Sequence, residues 1–204
     1  MASVTSLPTD GTNSPSSNAD TEAAKMLTDN ATYGIMTIVQ TGAFDSNPTH
    51  IVVLSDWDTI ASTLPTDATV DGVQVILRDV FGDIATSNTT ELYLSINGGS
   101  AYSNGNEVDL TGLGNKVAFE DDYTTPSATD ELWGLSWDPA SLNWDNVWLK
   151  IDITEGQVSG ANKTLNIDYV HLVVHYTEAA VVIGESVQFK SGKVTLSSGK
   201  ITLK

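Results

Sequence analysis

The sequence contains no cysteine, so neither disulfide bonds nor thiolate metal ligands can hold the fold or carry chemistry. It has no apolar run close to the roughly 18 residues of a membrane-spanning helix, and no sustained 3.6-residue apolar period that would predict a long helix. The N-terminus also lacks the basic flank and apolar stretch of a signal peptide. From these absences we expect neither a membrane partner nor a helical fold.

Basic residues are scarce, because nine Lys and Arg stand against 26 Asp and Glu, which gives a formal net charge of −17. Such a chain repels a phosphate backbone, so we expect no nucleic acid partner. The charge is unevenly distributed: residues 1–180 carry 5 basic and 25 acidic groups, net −20, whereas residues 181–204 carry 4 Lys and one Glu, net +3. The C-terminal segment is therefore predicted to be a separate unit.

Sequence motifs of catalysis are also missing. The chain has no Gly-x-Ser-x-Gly elbow, no phosphate-binding loop and no dinucleotide fingerprint. We therefore predict a protein that is not an enzyme. A glycan-degrading enzyme is kept as a third hypothesis, because it needs two carboxylates across a cleft and the chain is rich in carboxylates.

Strand signals fill the middle of the chain, where β-branched and aromatic runs alternate with Gly-, Asn- and Asp-containing turns. Strands are predicted over residues 32–40, 49–54, 68–80, 90–96, 117–119, 144–154 and 165–176. This spacing predicts an all-β fold, an antiparallel β-sandwich of jelly-roll-like type, over residues 21–178.

Two of these strands alternate clearly between apolar and polar residues. In the first, the odd-numbered row from Asp71 to Asp79 is the more apolar one, and in the second it is the even-numbered row from Asp168 to Tyr176. Because successive side chains of a strand point to opposite faces, these two rows are predicted to face the core.

The two ends of the chain are predicted to be appendages. Residues 1–20 are rich in Ser, Thr, Asn, Pro and Asp and predict a flexible N-terminal arm. Residues 179–204 contain a repeat spaced by seven residues, SGKVTL followed by SGKITL, and predict a small Lys-rich β-strand module. Since a lone hairpin is marginal in water, this module is expected to attach to another sheet or subunit. Its predicted assembly residues are Lys193, Val194, Leu196, Lys200, Ile201 and Leu203.

Four tryptophans are concentrated between residues 133 and 148. Tryptophans on a β-sandwich can stack sugars or anchor a core, and we favour core packing for Trp144 and Trp148, whose shared parity predicts one common side. Trp57 and Trp137 are the candidates for ligand stacking, on the expectation that their side chains are exposed.

The candidate metal ligands are three histidines and several clustered carboxylates. His171 and His175 share one strand face but lie about 13 Å apart, with no third ligand visible, so a structural role is favoured over a metal site. His50 stands alone. Carboxylates cluster at residues 56–58, 120–122 and 130–131, and calcium prefers such ligands, but no spacing matches a calcium loop. We expect no cofactor, and calcium is kept as the alternative.

Three segments resemble a known family: LPTDATVDGVQVILRDV (64–80), ELWGLSWDPASLNWDNVWLKIDI (131–153) and LNIDYVHLVVHYT (165–177). The resemblance is to an uncharacterised β-sandwich domain encoded among virion genes of tailed bacteriophages. There, a Pro-x-x-Ala-x-Ile/Val-x-Gly step enters a long strand ending near an Arg, a Trp-Gly-x-x-Trp motif follows, and an Asp-x-Val strand closes the domain. The matching residues are Pro65, Ala68, Val70, Gly72, Arg78, Trp133, Gly134, Trp137, Asp168 and Val170. The resemblance covers residues 18–177 and brings no catalytic residue.

This resemblance implies a place in a virus particle, as a head decoration, a fibre, or an accessory of the neck or tail. The leading hypothesis is therefore a non-enzymatic virion structural protein, assembled in the host cytoplasm, with capsid, neck or tail proteins as partners and with a homo-oligomeric state. An acidic body resists nonspecific association, while a terminal strand supplies a specific joint. The alternative is a carbohydrate-binding or host-receptor-binding module.

Overall fold

The structure, a computed structural model, describes residues 1–13, 22–29, 33–38, 49–82, 89–108, 116–154, 163–180, 194–197 and 200–203. Its strands are β1 (Ala2–Ser6), β2 (Asp10–Asn13), β3 (Gly34–Ile38), β4 (Thr49–Ser55), β5 (Thr69–Gly82), β6 (Thr89–Ser95), β7 (Asn106–Val108), β8 (Lys116–Thr125), β9 (Trp148–Thr154), β10 (Lys163–Ile167), β11 (Tyr169–Thr177), β12 (Val194–Ser197) and β13 (Lys200–Leu203). Short helices are α1 (Glu22–Lys25), α2 (Asp58–Thr63) and a 3-10 helix (Trp144–Asn146).

The body consists of two antiparallel sheets. Sheet A contains β1, β3, β5, β8, β10 and β11, and sheet B has the strand order β2-β4-β9-β6-β7. The inner faces of both sheets belong to one hydrophobic core. The predicted class, an all-β antiparallel β-sandwich, is therefore confirmed.

The two predicted core rows do face the interior. Val73, Val75 and Leu77 on β5 and Val170 and Leu172 on β11 have no exposed surface. Sheet B supplies the opposing apolar layer, with the side chains of Val52, Leu54, Leu92, Leu94, Leu149, Ile151 and Ile153. The alternation of apolar and polar residues along each strand therefore predicted correctly which row faces the core.

β10 and β11 act as one long strand beside β5. Leu165 pairs with Gly82 and Tyr169 pairs with Arg78, so both strands keep the same register along β5. The interruption between them lies at the buried residue Asp168, whose N–H donates to the Arg78 carbonyl at 3.2 Å. The facing Asp79 has a φ of 51°, so the backbone is locally irregular on both strands at this point.

The predicted flexible N-terminal arm is wrong for residues 2–13. β1 pairs with β11 at the edge of sheet A, and β2 pairs with β4 at the edge of sheet B. The segment thereby belongs to both sheets and buries Val4 and Ser6. Its polar composition suggested disorder, but strand edges accept Ser, Thr and Asp when one side of the backbone is hydrogen-bonded. Residues 14–20 of the predicted arm lie outside the described residues.

The C-terminal strands β12 and β13 pair only with each other in the sheet pattern, as a two-stranded antiparallel sheet. Among the residues that the structure describes, no helix is long and apolar enough to cross a membrane.

Candidate functional site

The two tryptophans predicted to stack a ligand are both buried. Trp57 has no exposed surface and its indole N–H donates to the Val147 carbonyl at 2.9 Å. Trp137 is 9% exposed, stacks on Trp144 with ring centroids 6.0 Å apart, and donates its indole N–H to the Leu132 carbonyl at 3.0 Å. Because both rings are packed and hydrogen-bonded inside the fold, the expectation that they are exposed is wrong.

Trp144 and Trp148 do not face one side, contrary to the prediction from their shared parity. Trp144 begins the 3-10 helix and is buried, whereas Trp148 begins β9 and is half-buried. The 3-10 helix turns the chain with three residues per turn, so strand parity does not extend across it. Trp148 accordingly lies on the row opposite to the buried Leu149 and Ile151.

The outer face of sheet B carries a group of aromatic and charged residues that the sequence did not single out. Strand register places Tyr93 opposite Lys150 and Glu91 opposite Asp152. We call the whole group the sheet B cluster. Its members are Glu91, Tyr93, Tyr102, Trp148, Lys150 and Asp152, all of which are half-buried.

Lys150 occupies the centre of the sheet B cluster. Its Nζ lies 3.8 Å from the ring centroid of Tyr93 and 5.3 Å from that of Tyr102. The same ammonium is 3.4 Å from Oδ2 of Asp152. Two ring faces and a carboxylate therefore hold one cation in place on the outer surface of the sheet.

The hydrogen-bonding groups of the cluster are held in defined states. The Tyr93 hydroxyl donates to Oε2 of Glu91 at 2.7 Å, and this bond, with burial and nearby carboxylate charge, raises the pKa of Tyr93 to about 12. Burial also raises the pKa of Tyr102. Both phenols therefore stay protonated at neutral pH. Oδ1 of Asp152 is buried and has no hydrogen-bond partner within the described part of the chain.

A tightly bonded loop after β6 positions Tyr102 over the cluster. The Ser95 hydroxyl donates to Oδ1 of Asn97 at 2.8 Å and accepts from the N–H of Gly99 at 3.0 Å. Gly99 has a φ of 76°, and a Cβ there would lie 2.6 Å from the Trp148 ring. The loop can pack on Trp148 only because this residue is glycine.

The outer face of sheet A carries a second charged group. Arg78 forms an ion pair with Asp122, and its Nε donates to Nδ1 of His171 at 3.5 Å. Burial, followed by the Arg78 charge, lowers the pKa of His171. The Tyr169 ring meets the His171 ring edge-on at 5.1 Å between centroids. The group links β5, β8 and β11 through polar contacts.

His175 lies on the same face of β11 as His171, as strand parity predicts. Its Nε2 is 2.7 Å from Oε1 of Gln74, whose amide nitrogen donates to the Pro126 carbonyl at 2.9 Å. Burial lowers the pKa of His175, although the nearby Asp71 acts in the opposite direction. These contacts give His175 a structural environment. The side chain of His50 lies outside the described residues.

One of the carboxylates considered for calcium, Asp56, has several acidic neighbours. Asp56 lies near Asp10, Asp145 and Asp58, and burial together with these three charges raises the pKa of Asp56. In the ranges that the structure describes, no group of three or more His, Asp or Glu residues is arranged to hold a metal ion. The side chains of residues 120–121 are not among those described.

The predicted assembly residues are distributed over the C-terminal hairpin. Val194 and Leu196 lie on β12, and Lys200, Ile201 and Leu203 lie on β13. Lys193 lies outside the described residues. The hairpin brings the two copies of the sequence repeat side by side, with opposite directions.

Comparison with known proteins gives no match: no family model, no curated protein and no solved structure matches the chain. The resemblance to a phage virion domain therefore rests on the quoted sequence motifs alone.

Sequence reasoning missed the sheet B cluster, although part of the signal was present. Alternation within β6 and β9 separates Glu91 and Tyr93, and Lys150 and Asp152, from the buried leucines and isoleucines. The two strands are 53 residues or more apart in sequence, and periodicity within each strand does not reveal that they are neighbours.

Proposed function

We propose that this chain is a non-enzymatic structural protein of a tailed-phage virion, acting as a head decoration, a fibre, or a neck or tail accessory. The observation that carries the proposal is the division of the chain into an acidic sandwich and a separate basic hairpin, β12–β13. The sandwich is the stable unit, and the hairpin is the unit that attaches it to other virion proteins.

The motif residues of the resemblance support this proposal by having roles in the fold. A Cβ on Gly72 would lie 2.2 Å from the Thr129 carbonyl oxygen, so the loop before Trp133 crosses β5 at a point where only glycine fits. Gly134 has a φ of 66°, and Asp168 is buried between β10 and β11. A motif of this kind marks a shared architecture rather than a shared reaction.

The charge of the body is consistent with a protein that is made in many copies. At a net charge of −20, residues 1–180 repel other copies of themselves, which keeps free protein dispersed before assembly. Attachment then requires a dedicated contact. The basic segment 181–204 is the part of the chain with the opposite sign.

The strand path supports a jelly-roll-like arrangement as part of this proposal. Consecutive strands from β3 to β6 alternate between sheet A and sheet B. With β10 and β11 taken as one strand, sheet A reads β3-β10/β11-β5-β8 and four strands of sheet B read β4-β9-β6-β7. Two four-stranded sheets joined by long crossings are the architecture of a double Greek key.

The experiment is to purify particles of the virus that encodes this chain and to search them for the protein by mass spectrometry and by antibody labelling in electron micrographs. The proposal expects the protein at a fixed copy number per particle and labelling at one defined location. Absence of the protein from purified particles that contain their other structural proteins would disprove the proposal.

A second candidate function is carbohydrate or host-receptor binding, favoured by the sheet B cluster. Half-buried Tyr102 and Trp148 lie beside the fixed Lys150 cation, and Oδ1 of Asp152 is a buried acceptor with no described protein donor. Saccharide sites combine aromatic rings with converging polar groups in this way.

Binding of the purified chain to an array of bacterial surface glycans tests this candidate. We expect Tyr102→Ala to abolish any signal, and Tyr169→Ala, which removes a half-buried tyrosine from the outer face of sheet A, to leave it unchanged. Absence of binding to every glycan, or equal loss in both variants, would exclude the cluster as a glycan site.

A further inference from the structure

The connection between β6 and β7 contains two Asn-Gly steps, Asn97-Gly98 and Asn104-Gly105. Such a step is chemically labile, because the backbone nitrogen of the glycine can attack Cγ of the asparagine side chain and glycine has no Cβ that obstructs the approach. Both asparagines are exposed. Their local sequence and their exposure are therefore alike, and a difference in their reactivity has to come from the hydrogen bonds around them.

Asn97 is held by hydrogen bonds at both of its reacting groups. Its Oδ1 accepts from the Ser95 hydroxyl at 2.8 Å and from the Ala101 N–H at 3.0 Å. The N–H of Gly98, whose nitrogen would be the nucleophile, donates to the Asn146 carbonyl at 2.9 Å. Reaction at Asn97 requires these hydrogen bonds to break first, so the folded chain protects this step.

The side chain of Asn104 is not held in this way. Within the described residues, none of the hydrogen bonds involves its side-chain amide. Its backbone carbonyl accepts from the Ser103 hydroxyl at 2.9 Å. That carbonyl and the Gly105 nitrogen belong to one peptide group, so this hydrogen bond stabilises the negative charge that spreads over the group when the Gly105 N–H loses its proton.

Ser103 is itself fixed against β6. Its hydroxyl oxygen accepts from the Leu94 N–H at 3.0 Å, and its own N–H donates to the Leu94 carbonyl at 2.7 Å. The hydroxyl that contacts the Asn104 carbonyl is therefore positioned by the edge of sheet B. The Asn104-Gly105 step combines an unrestrained side chain with an activated nucleophile.

We propose that Asn104 is a site of spontaneous deamidation, whereas Asn97 is protected from it. The Gly105 nitrogen forms a bond to Cγ of Asn104, its proton passes to solvent, and the side-chain nitrogen leaves as ammonia, which gives a succinimide ring. Water then opens the ring at either of its carbonyls and leaves aspartate or isoaspartate at residue 104. The reaction consumes one water and releases one ammonia, and it does not depend on the proposed virion role.

The modification would change the sheet B cluster. A Cβ on Gly105 would lie 2.8 Å from Cζ of Tyr93 and 2.9 Å from Oε1 of Glu91, so the Gly105 backbone packs directly against both side chains. Deamidation adds a negative charge next to this contact. Isoaspartate also lengthens the main chain immediately before a residue that has no room to move. We therefore expect the modified chain to have an altered Tyr93 environment.

Peptide mapping by mass spectrometry tests the inference on the full chain, after incubation in neutral buffer well below its unfolding temperature. Asn104 should convert at least about ten times faster than Asn97, because the Asn97 step must first lose several hydrogen bonds of ordinary net strength. In the urea-unfolded chain the two rates should be similar. Similar rates in the folded chain, faster conversion at Asn97, or a folded chain in which only the unfolded control converts would overturn the inference.

The variant Ser95→Ala tests the origin of the protection. It removes the hydroxyl that donates to Oδ1 of Asn97 and leaves the contact between Ser103 and Asn104 in place. Conversion at Asn97 should accelerate more than conversion at Asn104. An unchanged rate at Asn97 would show that its hydrogen bonds do not protect it.

The effect on the sheet B cluster has a separate readout. The deamidated form gains a negative charge and can be separated from the unmodified chain by anion exchange. Its near-ultraviolet circular dichroism, which reports tyrosine and tryptophan surroundings, should differ from that of an Asn104→Gln chain incubated for the same time. Identical spectra would contradict the expected change around Tyr93.

Discussion

The indole N–H of Trp133 donates to the backbone carbonyl of Val73 at 2.7 Å, across 60 residues of sequence. Val73 in turn donates its N–H to the carbonyl of Glu131 at 2.9 Å. The segment around Trp133 thus continues along β5 beyond the end of β8, where Thr125 pairs with Val75. Trp133 holds a φ of 60°, which few non-glycine residues adopt, and the contacts of Trp133 and Glu131 with Val73 hold this unfavourable backbone in place.

Replacement of Trp133 by Phe is expected to lower the free energy of unfolding by about 2–4 kcal/mol, because it removes a buried hydrogen bond and part of a packed ring. Urea unfolding measures the change. Trp148→Phe is the matched control: its indole hydrogen bond to the Asp145 carbonyl is exposed, and a loss below about 1 kcal/mol is expected. Equal losses would show that the Trp133 contact has no special importance.

Gly72→Ala is expected to destabilise the sandwich more than Gly134→Ala. A Cβ at residue 72 would collide with the Thr129 carbonyl oxygen, and neither β5 nor the loop can move without breaking its pairing. At Gly134 nothing lies within 4 Å, so the cost is the positive φ alone, about 1–2 kcal/mol. Thermal unfolding of both variants measures the two costs. A larger decrease in the unfolding midpoint for Gly134→Ala than for Gly72→Ala would contradict this explanation.

The sequence predicted the sheet class and the core rows well, because period-two alternation in residues 71–79 and 168–176 is a local property of each strand. It failed where a residue's surroundings depend on distant segments. Trp57 was expected to be exposed, yet its indole N–H donates to the carbonyl of Val147, 90 residues away. Residues 2–6 were predicted to lie in a flexible arm, yet as β1 they pair with β11 near the other end of the body and belong to sheet A.

The pH dependence of the free energy of unfolding is expected to reveal the protonation of His171 and His175. Burial lowers both pKa values below the 6.5 of an unfolded chain, so the folded state prefers neutral imidazoles. Their contribution is complete above pH 6.5 and is lost as the pH falls below that value towards the folded-state pKa.

The measurement is the free energy of unfolding from about pH 7.5 to about pH 5 for the wild-type chain and for a His171→Gln, His175→Gln double variant. The wild-type chain should lose more stability than the variant across this range. The comparison is needed because protonation of carboxylates such as Asp79, whose pKa is raised by burial and by Asp122, acts in the opposite direction at lower pH. If the free energies of unfolding of the two proteins differed by the same amount at every pH, the two histidines would be excluded as a source of the pH dependence.

Removal of the C-terminal module is expected to leave the sandwich intact. A chain that stops after Ala180 retains every strand of both body sheets, since β11 ends at Thr177. Its thermal unfolding should keep the cooperativity and midpoint of the full chain, measured by circular dichroism. A broad transition or a large decrease in midpoint would show that β12 and β13 belong to the core instead.

The sheet B cluster could not be predicted from the residue pattern within single strands. The outward rows of β6 and β9 could be derived from alternation, but the pairing of Tyr93 with Lys150 depends on strand register, and Tyr102 reaches them through a loop built on Ser95. Neither register nor loop path is encoded in the spacing of apolar residues.

We propose that this acidic sandwich is a virion component attached through its C-terminal hairpin. Cryo-electron microscopy of purified particles, compared with particles that carry a chain ending after Ala180, tests it most directly. The proposal predicts β-sandwich density at one defined location on the particle, and loss of that density in the truncated particles. Particles that lack such density, or that retain it after truncation, would contradict the account.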